Sequence, residues 1–287
     1  MQGLSFVILS MDMQRLVNFG CGSVAHPQWI NVDLEPAVPF ARSIDVRQPL
    51  PFATDSVDMC YSSHLLEHLT AREGAAFLQE QQRVLKPHGV IRVAVPDLGH
   101  LCREFAELQD RVLGGDRESE FQLEYTYLEL FDQATRQLPG GDLYSTWLGC
   151  PPEYAAFVES RAGDEFRRSV ARRGEKARRR SALLRAGGWR RAWTMLRERG
   201  VEITARVLLG SGGARAVREG FFRASGEIHR VMYDEARLAR RLVAAGFHEP
   251  MRMRATESRL PGFAAFNLDA ENGRVRKPDS LFIEAVA

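Results

Sequence analysis

From Gln14 to Val95, short β-branched and aromatic runs alternate with a helical stretch, the pattern of a parallel sheet covered on both faces. The runs that read as strands are Arg15 to Phe19, Trp29 to Val32, Ser43 to Ile44, Val57 to Ser62 and Val90 to Val95. Ala71 to Leu85 is the clearest helix: Phe77, Leu78, Val84 and Leu85 share one stripe, Glu73, Glu80 and Arg83 the other, and Lys86-Pro87-His88-Gly89 stops it. After residue 100 the pattern turns helical, with Leu101 to Val112 and Phe121 to Ala134, then a break at Pro139-Gly140-Gly141. Ser211-Gly212-Gly213 and Gly220 punctuate the approach to Glu227. Alternation then returns: Tyr233 to Ala245 is amphipathic and stopped by Gly246, and Met251 to Thr256 and Leu281 to Ala285 read as strands. The expected organisation is an α/β core, residues 1–100 and 229–287, interrupted by a mainly helical, Arg-rich insertion over 101–228.

With 45% hydrophobic and 26% charged residues and a net charge of +2, the 287-residue chain has enough apolar material for a sizeable core; a disordered tail, a collagen or a disulfide miniprotein is excluded. Cys21, Cys60, Cys102 and Cys150 show no Cys-x-x-Cys spacing and lie in or beside apolar stretches, so they read as buried, reduced thiols of a cytoplasmic protein. The apolar run Leu4 to Leu9 falls far short of the roughly 20 residues of a membrane span. No basic region precedes it, and the first ten residues read as an extension ahead of Met11 or Met13.

The near-neutral total hides a basic segment. Residues 161–199 hold fourteen Lys and Arg against four Asp and Glu, with Trp189 and Trp193 interleaved. Three readings remain open: a solvated helical face, contact with an anionic membrane surface or lipid-linked glycan, and RNA. No RNA-binding module accompanies the arginines, so nucleic acid is not indicated.

Chemistry enters at Val17-Asn18-Phe19-Gly20-Cys21-Gly22-Ser23, which places Gly-x-Gly directly after a strand, where missing Cβ atoms let a ligand approach backbone amides. The third glycine of the dinucleotide fingerprint is absent. Asp33 ends the second strand and Asp45 follows the third, so two carboxylates face the crevice where open parallel sheets take ligands. Only about nine residues join the first two strands, fewer than the ten to twelve of a full crossover, so the first helix must be vestigial and the pocket open.

Gly20-Cys21-Gly22, Ile30-Asn31-Val32-Asp33, Asp45-Val46 with Leu50-Pro51-Phe52, Ser56-Val57-Asp58, Ser63-His64-Leu65-Leu66-Glu67-His68 and Arg83-Val84-Leu85-Lys86-Pro87-His88-Gly89 resemble, in order, the class I S-adenosylmethionine-dependent methyltransferases, type 11 group. The resemblance spans Val17 to Leu98, with the closing helix and strands after Tyr233 fitting too. It implies a Rossmann-like, doubly wound, seven-stranded sheet and S-adenosylmethionine as cofactor. Gly20 and Gly22 would pass its methionine part, Asp33 bind its ribose, Asp45 and Val46 hold its adenine, and Ser62 lie near the sulfonium, with Phe19 and Leu34 alongside. The acceptor is left open; Phe131-Asp132-Gln133 and Glu227 to Asp234 look similar to segments of methyltransferases of bacterial surface polysaccharides, which points to a saccharide or other small polar hydroxyl.

Methyl transfer to a hydroxyl needs an aligned nucleophile and a proton acceptor. The base candidates are His229, where the insertion rejoins the core, then Asp132 and His64, with Asp97 and His100 as further possibilities. His64-Leu65-Leu66-Glu67-His68 also fits the His-x-x-Glu-His pattern of inverted zinc proteases, with two imidazoles one helical turn apart and a carboxylate between, but no third ligand is fixed, and the expectation is no metal. Competing readings are a binding or scaffold protein that keeps the fold without catalysis, an RNA methyltransferase, and, most distantly, a zinc hydrolase.

Overall fold

The computed structural model describes residues 14–176 and 188–287, with side chains described outside 172–198. The proposed extension around Met11 and Met13 and the arginines at 178–180 lie outside the described residues, as do the side chains of Trp189 and Trp193. The strands are β1 (Leu16–Phe19), β2 (Ile30–Asp33), β3 (Arg42–Ser43), β4 (Val57–Ser63), β5 (Leu85–Pro96), β6 (His248–Met253), a small hairpin of β7 (Ala270–Glu271) and β8 (Arg274–Val275), and β9 (Ser280–Val286). Seven of them form one sheet in the order β3-β2-β1-β4-β5-β9-β6, with β9 alone running against its neighbours. The helices are α1 (Ala71–Val84), α2 (Leu98–Leu113), α3 (Ser119–Thr135), α4 (Gly141–Gly149), α5 (Ala155–Ala162), α6 (Asp164–Lys176), α7 (Gly188–Ala224) and α8 (Glu235–Ala244).

One face of the sheet is covered by helices. Thr70 caps α1 in a reciprocal capping box with Glu73, and Phe77, Leu78 and Val84 on its inner stripe join Leu238 and Leu242 of α8 over Val17, Phe19, Cys60, Ile91 and Ile283. The opposite face is closed differently. The β1–β2 link contains no helix, as its length requires; the buried pair Asn18 and Asn31 holds it, with amides donating to the carbonyls of Val24, His26 and Trp29. Trp29 turns inward and packs edge-on to Tyr61 and to Phe263 of the late loop between β6 and β7.

That late loop is anchored by Arg92 of β5, which is wholly buried. Its guanidinium donates to Asp269 at 2.7 Å, to Glu284 at 2.8 Å and to the carbonyls of Glu257 and Arg254 at 2.8 and 3.0 Å, and lies 4.5 Å from the centre of the Phe263 ring. Tyr61 completes the cluster by donating to Asp269 at 2.6 Å. Buried charge is tolerated because every charged atom has a partner.

Three expectations need correction. Ser211-Gly212-Gly213 does follow a break, since α7 is two helices joined at a kink one residue earlier, at Gly210 with φ 71°, but Gly220 lies within the second helix and interrupts nothing. The four thiols are free, but only Cys21 and Cys60 are buried; Cys102 is exposed on α2 and Cys150 half-buried, because the apolar neighbours of each turn to other faces. Near the start of the basic segment the arginines are not merely solvated. Arg161 is buried between Glu104 (2.5 Å) and Glu129 (2.9 Å), Arg167 pairs with Glu159 at 2.8 Å, and Arg168 reaches Ser23 at 3.2 Å.

Arg92→Met is expected to lower stability by about 3–5 kcal/mol, since it strands two buried carboxylates. Urea denaturation followed by circular dichroism measures this, and a loss under about 1 kcal/mol would mean that the loop is held by its aromatic contacts instead.

Candidate functional site

The crevice opens at the carboxyl ends of β1, β2 and β4. Gly20 and Gly22 have φ of 67° and 50°, conformations that favour glycine, and the Gly20 and Cys21 amides both donate to the Val32 carbonyl. A Cβ on Gly20 would sit 3.2 Å from the Leu65 side chain, whereas one on Gly22 would meet nothing within 4 Å. The turn is thus closed on its Leu65 side and bare towards the cavity. Asp33 accepts from the Gly22 amide at 2.8 Å and from the Glu35 amide at 3.0 Å, which fixes its carboxylate at the lip. Asp45 is gripped by the guanidinium of Arg47 at 2.8 Å, and this hydrogen bond holds its carboxyl below the ordinary value.

Three cavities meet here. A groove of about 370 Å³ is lined by Gly20, Asp33, Leu34, Asp45, Val46 and Leu65. A second space of about 250 Å³ lies on the other side of the glycine turn, among Gly20, Gly22, Ser63, Asp269 and Lys277. A third chamber of about 240 Å³ lies under α3, α4 and α6, among His68, Tyr125, Glu129, Gln133, Glu165, His229 and Lys277. His64 lines all three.

Six of the eight expected cofactor residues line these spaces: Gly20, Gly22, Asp33, Leu34, Asp45 and Val46. Phe19 and Ser62 do not. The Phe19 ring is buried against Phe77 and Phe52, because strand alternation aims it at the helical face, and the Ser62 hydroxyl is buried without a partner.

The His-x-x-Glu-His segment does not take the expected α-helical geometry. His64 ends β4 with φ 51°, and only Leu66–His68 turns, as a single 3₁₀ turn. The two imidazoles therefore point to different partners instead of stacking one turn apart. His64 Nδ1 lies 3.2 Å from Glu67 and its Nε2 2.8 Å from the Ser280 hydroxyl, while His68 Nδ1 faces the Ile228 carbonyl at 3.2 Å. The His68 and His229 rings meet edge to face at 4.8 Å.

Glu67 is fully buried. Burial would raise its carboxyl, but the hydrogen bond to His64 and the surrounding imidazoles outweigh this and hold it at about 2. Burial pushes His68 down and His229 down to about 3, so both are neutral near pH 7. One oxygen of Glu67 and one nitrogen each of His68 and His229 lie within 4.8 Å of one another, the one set of three metal-ligating side chains found among the described residues.

The other base candidates are committed elsewhere. Asp97 caps α2 through the His100 amide and pairs with Arg252 at 2.8 Å. His100 sits beside Arg161 and Glu104, outside the chamber. Asp132 is buried and accepts from the Asp142 amide at the start of α4; its neighbours Gln133 and Arg136 reach the chamber, and Asp132 does not.

The structure adds residues that sequence reasoning missed. Glu165 pairs with Lys277 at 2.7 Å, and the lysine holds its carboxyl at about 2. Burial pushes Glu129 up to about 8 despite its contact with Arg161. No local spacing signals these residues, which come from α3, α6 and the loop between β8 and β9.

Residues 17–93 match a family model described as "Methyltransferase domain". No curated protein matches the chain. Among solved structures, an S-adenosylmethionine-dependent methyltransferase from Mesorhizobium loti is 22% identical over 29% of this chain and 47% of its own, with a TM-score of 0.24. A second, from Archaeoglobus fulgidus, is 10% identical over 96% of this chain and 86% of its own, with a TM-score of 0.38. A third, an amino pentose methyltransferase from Micromonospora echinaspora, is 24% identical over 29% of this chain and 42% of its own, with a TM-score of 0.24. The chain thus spans about half or less of the length of the first of these relatives. S-adenosylmethionine suits the groove found here: a bare glycine turn, a carboxylate fixed at the end of β2 and a second carboxylate beyond β3. The strand order and the match over 17–93 make the core of this chain similar to the class I S-adenosylmethionine-dependent methyltransferases, with residues 17–93 matching their methyltransferase domain.

Proposed function

We propose that the protein methylates a hydroxyl of a small polar acceptor, a saccharide, in the chamber under α3, α4 and α6. The observation that carries this reading is the position of His64, whose side chain lines both the cofactor groove and that chamber. The chamber wall supports the acceptor class: carboxylates, imidazoles, an amide and a lysine surround it, donors and acceptors suited to several hydroxyls at once. The four unpaired thiols support a reducing, cytoplasmic setting.

S-adenosylmethionine, when bound, supplies an electrophilic methyl group. The chain's residues have three tasks. Asp33 would accept the ribose hydroxyls of the cofactor, the backbone at Gly20 and Gly22 would admit its methionine part, and Asp45 and Val46 would hold its adenine. The polar wall of the chamber would bind and orient the acceptor hydroxyl. His64 would take its proton: with Nδ1 turned to Glu67, the Nε2 lone pair, which accepts from the Ser280 hydroxyl at 2.8 Å in this structure, is the atom that would exchange that partner for the acceptor hydroxyl, and the buried carboxylate would stabilise the imidazolium. His229, the first candidate from sequence, is a poor base because burial disfavours its protonation.

Calorimetric titration with S-adenosylhomocysteine is expected to show micromolar binding, weakened tenfold or more in Asp33→Ala with the circular dichroism spectrum unchanged. Undiminished affinity in that variant would sink the assignment of the groove. Once an acceptor is found by screening polyhydroxylated metabolites, His64→Gln is expected to lower kcat about 10²-fold or more while S-adenosylhomocysteine affinity stays within a few-fold. Equal kcat in the two proteins would remove His64 as the base.

A further inference from the structure

We infer that Glu67, His68 and His229 bind one divalent first-row transition-metal ion at the floor of the acceptor chamber. Their ligand atoms lie within 4.8 Å of one another. Ligands bonded at about 2.1 Å to a tetrahedral ion sit about 3.4 Å apart, so a small rotation of one ring closes the set. Two imidazoles and a carboxylate are a donor set that such ions favour over calcium or magnesium.

Each ligand is prepared for the task. His68 donates from Nδ1 to the Ile228 carbonyl, which fixes the tautomer with a free Nε2 lone pair, the arrangement usual for a ligating histidine. His229 Nδ1 is buried and has no partner. Glu67 is fully buried, and neither carboxylate oxygen has a hydrogen-bond partner apart from the 3.2 Å approach of His64. An unpaired anionic oxygen in such a place is costly unless a cation meets it.

The backbone holds the three together. The Glu67 carbonyl accepts from the Arg230 and Val231 amides at 2.7 and 3.2 Å, and the His229 amide donates to the Gln133 carbonyl at 2.9 Å. The fourth side is open, because His68 and His229 both line the chamber. The use of the ion rests on the function proposed above: it would take the acceptor oxygen, make its hydroxyl more acidic and leave His64 to carry the proton away. The site itself does not depend on that use.

The test is titration of the chelator-treated full chain with Zn²⁺ by calorimetry and with Co²⁺ by visible absorption. One saturable equivalent and the absorption of four- or five-coordinate Co²⁺ are expected. His68→Ala and His229→Ala should each weaken Zn²⁺ binding tenfold or more, and His100→Ala should leave it unchanged. Should those variants misfold, ring-nitrogen NMR of the wild type reads the site directly, and shifts of two imidazoles on Zn²⁺ addition are expected. Absence of saturable binding, unshifted imidazoles, or unchanged affinity in folded His68→Ala/His229→Ala would overturn the site. Metal binding without S-adenosylhomocysteine binding would keep the site and remove its role in methyl transfer.

Discussion

Arg92 is the constraint on which the rest of the structure depends. A sheet whose first crossover has no helix leaves an apolar face uncovered. Here the loop between β6 and β7 covers it with Leu260, Phe263 and Leu268. A loop carries more polar backbone than a helix face can hide, and Arg92 meets that need by satisfying two loop carbonyls and two carboxylates from one guanidinium. The same stretch of chain continues into Lys277, Asp279 and Ser280, which line the chamber or touch His64. The packing of one face therefore sets the geometry of the site.

Electrostatics in the site follow from burial combined with selective pairing. Glu67 stays ionised because an imidazole bonds to it, while His68 and His229 are kept neutral by desolvation. Around this anionic centre the helices after β5 add a second ring of charge already paired off: Arg161 with Glu104 and Glu165 with Lys277. Pairing leaves the wall polar without a strong field of either sign, which suits a neutral, hydroxyl-rich molecule better than a charged one.

What the sequence made legible was local. The Gly-x-Gly turn, Asp33 and Asp45 are tied to strand ends, and a strand followed by its turn can be read within a few residues. The absence of a helix between β1 and β2 could be read from length alone. Asp97 and Asp132 stand outside the chamber lining because each carboxylate holds the start of a helix, Asp97 through the His100 amide of α2 and Asp132 through the Asp142 amide of α4, a use that the sequence does not separate from that of a base. The helical reading of His64 to His68 failed because the chain enters it with a left-handed residue at His64. Arg92, Lys277 and the convergence of His229 on Glu67 were invisible, since each depends on contacts between distant parts of the chain.

Those separations also govern when the site comes into being. His64 meets Ser280 across 216 positions, and Tyr61 meets Asp269 across 208. During synthesis the glycine turn, the first two carboxylates and His64 leave the ribosome long before β9, which must insert between β5 and β6 to complete the sheet. Until then β5 has an open edge, Arg92 lacks both carboxylates and the chamber lacks a wall. The nascent chain therefore passes through a long interval with an exposed strand edge and a buried-type arginine in water, a state that a chaperone would recognise.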